Sequence, residues 1–119
     1  RLQQLVARMG SAYPANVTLE HSLQVPVATF VEDEVLAIVT EGLSNALRHS
    51  AGESVEVTVR LSDAGHQIVI ADDGHGFNMD ESKVGMGLEN LRTRVENLAG
   101  RLTVTSSGSG TTVAVELPG

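Results

Sequence analysis

Apolar residues recur along the chain with two different periods, and the switches between them mark out the elements. Leu2, Leu5, Val6 and Met9 stand at helical spacing, and Gly10, Ser11 and Pro14 stop that helix. Val17, Leu19, His21 and Leu23 then alternate with Thr18, Glu20 and Ser22, the pattern of a half-buried strand that ends before Pro26. His21 on its inner side reads as a hydrogen-bonded filler. From Val31 to Ser50 the helical period returns. At about 100° per residue, Val35, Leu36, Val39, Leu43, Ala46 and Leu47 fall on one stripe, with Glu41, Asn45, Arg48 and His49 on the other side.

Gly52 and Glu53 break that helix, and Val55, Val57, Val59 and Leu61 alternate with Glu56, Thr58 and Arg60 in a second strand. The turn residues 62–65 lead into the continuous apolar run Ile68, Val69, Ile70 and Ala71, suited to a central strand that forms a hairpin with the one before it. Leu88, Leu91, Val95 and Leu98 define a further helix, closed by Gly100 in a position that favours a left-handed cap. Two alternating strands, Leu102 to Ser106 and Thr111 to Leu117, are joined by residues 107–110. The order is helix, strand, helix, strand, strand, helix, strand, strand. It predicts a two-layer α+β sandwich, with a mixed, mostly antiparallel sheet of about five strands covered on one face by three helices.

At 119 residues the chain suits a single domain spanning 1–119. Few aromatic residues are present, so the core must be built mainly from Val, Leu, Ile and Ala. A formal charge of -7 argues against a surface that grips nucleic acid by counterion release. Cysteine is absent, which excludes disulfides and thiolate metal sites. No run approaches the roughly 18 apolar residues of a membrane span, and no signal peptide is evident. A cytoplasmic domain is expected, with the membrane attachment of its parent left open. The chain opens inside a helical pattern at Arg1 without a methionine, which suggests a domain cut from a longer protein.

Three stretches carry candidate chemistry. The polar side of the long helix offers a carboxylate, a carboxamide, a guanidinium and an imidazole within two turns, where a solvated face pairs Lys with Glu. Those groups suit a metal ion and phosphates, or an ordinary surface that lacks lysine. Asp72 stands where a buried strand leaves the sheet, followed by Gly74 and Gly76. A carboxylate there can accept a hydrogen bond from an exocyclic amine while the glycines let a flat purine approach the backbone, although Asp and Gly also make plain turns. Gly85 and Gly87 lie immediately before the expected helix start near Leu88, where free amides and the helix dipole favour an anion. Lys83, just upstream, is within reach of a phosphate. Rossmann and P-loop signatures are not met.

Taken together and in this order, Glu41-Asn45-Arg48-His49, Asp72-x-Gly74-x-Gly76, Gly85-x-Gly87-Leu88 and Gly108-x-Gly110-Thr111 resemble the catalytic ATP-binding domain of bacterial sensor histidine kinases. That domain belongs to the superfamily of gyrase, Hsp90, histidine kinases and MutL, the Bergerat fold, and the likeness runs from about Val31 to Pro118. By this resemblance Glu41 to His49 is the N box, Asp72 to Phe77 the G1 box and Gly85 to Leu88 the G2 box.

The resemblance implies a function and roles. Asn45 would hold the magnesium that bridges the phosphates of ATP, and Glu41 would steady a metal-bound water or polarise the reacting site. Arg48 and His49 would face phosphate and nucleoside. Asp72 would read the adenine amino group, with Thr111 completing its water network. Gly74, Gly76, Gly85 and Gly87 would shape the pocket and the hinges of a lid. The segment Gly87 to Arg94 is similar to the subgroup whose response regulators carry a NarL-like DNA-binding domain. The lid segment from Asn78 to Val84 is short and has no separate phenylalanine box, because Phe77 belongs to the G1 stretch. The expected activity is transfer of the γ-phosphoryl group of Mg-ATP to a histidine on a separate helical dimerisation domain, which this chain lacks. The parent would be a homodimer serving a response regulator, and the isolated fragment a monomer of little activity. An anti-sigma-factor serine kinase and a non-catalytic ATP sensor are the competing expectations, the first disfavoured by the start at Arg1.

Overall fold

The computed structural model of the chain follows the element order read from the periodicities: α1 (Leu2–Ser11), β1 (Val17–Leu23), α2 (Thr29–His49), β2 (Val55–Ser62), β3 (Gly65–Asp72), α3 (Ser82–Asn97), β4 (Arg101–Ser107) and β5 (Gly110–Leu117). The structure describes residues 2–11, 17–23, 29–49, 54–62, 65–72, 82–107 and 110–118, with the backbone alone at 2, 3, 10, 21–23, 29, 30, 45, 47–49, 82–88, 106 and 107.

The strands form one sheet in the order β1-β2-β3-β5-β4. β1 and β2 are parallel, and α2 provides the crossover that a parallel pair requires. The pairs β2–β3, β3–β5 and β4–β5 are antiparallel. Alternation then decides which face is covered. Val55, Val57, Val59 and Leu61 of β2 are buried, as are Ile68 and Ile70 of β3 and Val113, Val115 and Leu117 of β5. Glu56, Arg60, Gln67 and Glu116, which point the other way, are exposed. The register stacks these apolar residues into rungs, Val57–Ile70–Val113 and Val59–Ile68–Val115. α1 packs on β1 and α2, α2 on β2 and β3, and α3 on α2 and β4.

On α2 the buried stripe is Val35, Ile38, Val39, Leu43 and Ala46. Ile38, three residues after Val35 and so on the same face, is wholly buried and extends the stripe, while Leu36 is half-buried on the side of α1. Each fully buried Ile or Leu of this core contributes about 1.5–3 kcal/mol. Gly42 also lies in this interface, where a Cβ would overlap Ile70 Cδ1 and stand 3.9 Å from Leu91 Cδ2. The missing side chain lets α2 sit close on β3.

Two expectations at α3 are corrected. The helix starts at Ser82, so Lys83, Gly85 and Gly87 lie within its first turns and not ahead of it. Its apolar period becomes visible only where Leu91 and Val95 cover the core, and glycines, each about 1 kcal/mol poorer than Ala in a helix, mask the earlier turns. The amide-rich helix start is therefore at Ser82. At the other end the left-handed residue is Ala99, with φ 59°, and not Gly100. The Gly100 amide donates to the Val95 carbonyl at 2.9 Å and the Ala99 amide to Glu96 at 3.0 Å, a Schellman pairing. Gly100 is required for space, since a Cβ would stand 2.5 Å from the Glu116 carbonyl and 2.7 Å from Leu117 Cδ2.

Candidate nucleotide site

Asp72 is the last residue of β3 and continues the face that carries Ile68 and Ile70. It pairs with Val55 of β2 on one side and with Thr111 of β5 on the other. Thr111 is buried and Asp72 half-buried, so the central sheet ends in a polar pair above rungs of Val and Ile. The two residues lie in different strand pairs along the chain, and only the insertion of β5 beside β3 makes them neighbours.

Helix packing sets which ends meet. Leu91 approaches Gly42, and three residues later in α3 Arg94 reaches back to Glu41 and Glu34. Residue numbers rise along one helix as they fall along the other, so α2 and α3 are antiparallel. The turn of α2 that contains Asn45 is thereby directed toward the first turns of α3, which contain Gly85 and Gly87. The other end is pinned where Gly100 meets Leu117, whereas Gly42 and Leu91 meet at Ile70, two rungs nearer Asp72. The end of α2 and the start of α3 therefore lie at the Asp72–Thr111 end of the sheet.

Arg48 and His49 occupy the last turn of α2, and Lys83 and Leu88 lie in α3; for these, as for Asn45, the backbone alone carries the placement. Gly74, Gly76 and Phe77 lie outside the described residues.

Glu41 is engaged in an ion pair. Arg94 donates from Nη2 to Glu41 Oε1 at 3.4 Å and from Nη1 to Glu34 Oε2 at 3.3 Å. These residues, with Asn90, Thr93, Asn97 and Leu98, line a cavity of about 500 Å³ between α2 and α3. Glu34 and the bridging role of Arg94 are not read from the sequence. The available signal is weak: Glu34 and Glu41 are seven apart and so share a helix face, and Arg94 directly precedes the buried Val95. Among the described residues no group of three or more His, Asp or Glu could hold a metal.

Residues 30–119 match the family of histidine kinase-, DNA gyrase B-, and HSP90-like ATPases, HATPase_c. Sensor histidine kinase LiaS of Bacillus subtilis is 36% identical over 90 residues, covering 74% of this chain and 25% of LiaS. Sensor protein VraS of Staphylococcus aureus is 33% identical over 120 positions, covering 98% of this chain and 34% of VraS. The chain thus spans about a quarter to a third of the length of these relatives. In three dimensions it superposes on the histidine kinase domain of the Erythrobacter litoralis EL346 blue-light activated kinase with a TM-score of 0.83 at 25% identity, covering 98% of this chain and 58% of that one. A mycobacterial sensor histidine kinase, MprB, shares the fold with a TM-score of 0.70 at 22% identity, over 99% of this chain and 91% of that one. With its mixed sheet, its helices on one face and the Asp72–Thr111 pair at the sheet end beside the facing ends of α2 and α3, the chain belongs to the HATPase_c family, as a histidine kinase ATPase domain homologous to sensor kinases.

Proposed function

We propose that this domain binds Mg-ATP and donates its γ-phosphoryl group to a histidine on a separate helical dimerisation domain of the same kinase. The observation that carries the reading is the convergence of Asp72 and Thr111, the Asn45 turn of α2 and the Gly85–Gly87 turns of α3 at one end of the sheet. In this reading Asp72 accepts a hydrogen bond from the adenine amino group, and Thr111 supports the water that shares it. Asn45 offers a carboxamide oxygen to magnesium, with Glu41 acting through water, and the ion supplies charge neutralisation on the phosphates. Arg48, His49 and Lys83 line the nucleoside and phosphate path. Gly74, Gly76, Phe77, Gly85, Gly87 and Leu88 form the walls and lid. In such a transfer the protein's task is mostly positioning and charge compensation, with magnesium and Arg48 offsetting the phosphate charge.

The parent protein in this reading is a homodimer, and the phosphohistidine passes its phosphoryl group to a response regulator. The Gly87–Arg94 segment favours a NarL-like regulator. In this reading the domain works in the cytoplasm, beside the ATP and the response regulator it serves; separately, among the described residues no helix is long and apolar enough to cross a membrane.

The test is calorimetric titration of the 119-residue chain with ADP and a non-hydrolysable ATP analogue, each with and without magnesium, with GTP as control. Adenine-selective, magnesium-enhanced binding is expected. Supplying a phosphoacceptor helical hairpin with ATP should then yield acid-labile phosphohistidine. Phosphoserine on an added protein substrate, or binding without transfer, would overturn the histidine kinase assignment.

A further inference from the structure

Arg94 stands on α3 between two anchors, three residues after Leu91 and next to Val95, both buried. Its guanidinium spans two carboxylates of the neighbouring helix, Glu34 at 3.3 Å and Glu41 at 3.4 Å. Its Nε is buried and, among the described residues, has no hydrogen-bond partner. The side chain is thus held in a cleft that desolvates its root and leaves its two terminal nitrogens to the acids. Glu34, Ile38, Glu41 and Asn45 recur on α2 at steps of four, three and four, one continuous line along the helix that faces α3. A planar fork joined to two points about two turns apart restrains both the rotation of α2 and its position along its axis. A single ion pair would restrain neither fully.

We propose that Arg94 is a positioning residue of the nucleotide site, whose bridge to Glu34 and Glu41 sets the register of α2 against α3 and with it the placement of Asn45 relative to Gly85 and Gly87. This rests on the proposed nucleotide-binding function. Asn45 lies one turn beyond Glu41 on the same line, so a slip or rotation at Glu41 is passed on to it undiminished. The bridge is partly exposed, with Arg94 36% and Glu41 26% accessible, and pairs of that kind add little to overall stability. Geometry and stability are therefore separable by experiment. The bridge also occupies Glu41 Oε1, so Glu41 acts at the site as a carboxylate already held by a cation.

The test titrates ADP, with magnesium and with chelator, into the unaltered chain and into Arg94→Met, Arg94→Lys, Glu34→Gln and the double variant Arg94→Met/Glu34→Gln. Arg94→Met should weaken magnesium-ADP binding about tenfold, the low end of what losing an outer partner costs a metal site, while affinity in chelator and the unfolding midpoint stay near their original values. Arg94→Lys should recover only part, because one ammonium cannot bridge both acids. Glu34→Gln should weaken binding less than Arg94→Met, and the double variant should be no worse than Arg94→Met, the non-additivity expected if Glu34 acts through Arg94. Unchanged magnesium-ADP affinity in Arg94→Met overturns the proposal. So does an equal loss with and without magnesium that tracks a lowered unfolding midpoint, which would mark Arg94 as purely structural. If the unaltered chain binds no adenine nucleotide, the proposed function itself falls and this role falls with it, an outcome visible before any variant is made.

Discussion

Asp72 and Thr111 lie directly opposite each other across the antiparallel β3–β5 pair, 39 positions apart in the numbering. Removing the charge at Asp72 while keeping its shape should weaken adenine nucleotide binding by about 1–3 kcal/mol, the range for a lost buried polar contact. Asp72→Asn titrated with ADP checks this, and an unchanged affinity in folded protein would refute the assignment. Thr111→Val should produce a smaller loss in the same direction, since it removes a hydroxyl and preserves the β-branched shape.

Asn45 is expected to act through the metal. Asn45→Ala should abolish the difference between ADP affinity with and without magnesium while leaving the metal-free affinity close to its original value. A paired titration decides it, and a variant that kept its full magnesium enhancement would exclude Asn45 as a ligand.

The end of α3 makes opposite predictions for adjacent residues. Ala99 holds a left-handed conformation that costs an L-residue about 1–2 kcal/mol, so Ala99→Gly should stabilise the domain by up to ~1 kcal/mol after the entropy of glycine is deducted. Gly100→Ala should destabilise it by about 1–3 kcal/mol, because the added methyl meets the Glu116 carbonyl, a backbone atom that cannot yield cheaply. Urea unfolding of the two variants reads both signs.

Gly42 predicts a coupling. Gly42→Ala gains about 1 kcal/mol of helix propensity but drives a methyl into Ile70 Cδ1 in a filled core, at a cost of roughly 1–3 kcal/mol. Ile70→Val removes that Cδ1 and alone costs about 0.5–1.5 kcal/mol. The double variant should be more stable than the sum of the two single changes, and simple additivity in chemical unfolding would disprove the contact.

The order of the eight elements and the buried faces of α2, β2, β3 and β5 are legible in the sequence because they depend on local period. The alternation of Val55 to Leu61 and the stripe from Val35 to Ala46 report burial whatever the chain does elsewhere. The family resemblance carried by short runs of fixed spacing agrees with the HATPase_c match, because such runs are local too. Legibility fails where local cues conflict or a partner is remote. Gly85 and Gly87 look like a helix boundary and lie within α3, while Gly100 looks like the left-handed cap and leaves that conformation to Ala99.

By itself, then, the sequence determined the order of helices and strands, the buried faces of those with a clear local period and the candidate residues at its polar breaks. Tertiary structure alone decided that β5 enters beside β3 to set Thr111 against Asp72, that α2 and α3 run antiparallel, and that Arg94 joins Glu34 and Glu41 from 60 and 53 residues away. The reason is physical. A side chain's period is imposed by its own backbone, whereas its partners are chosen by the packing of surfaces that meet only once the sheet has formed.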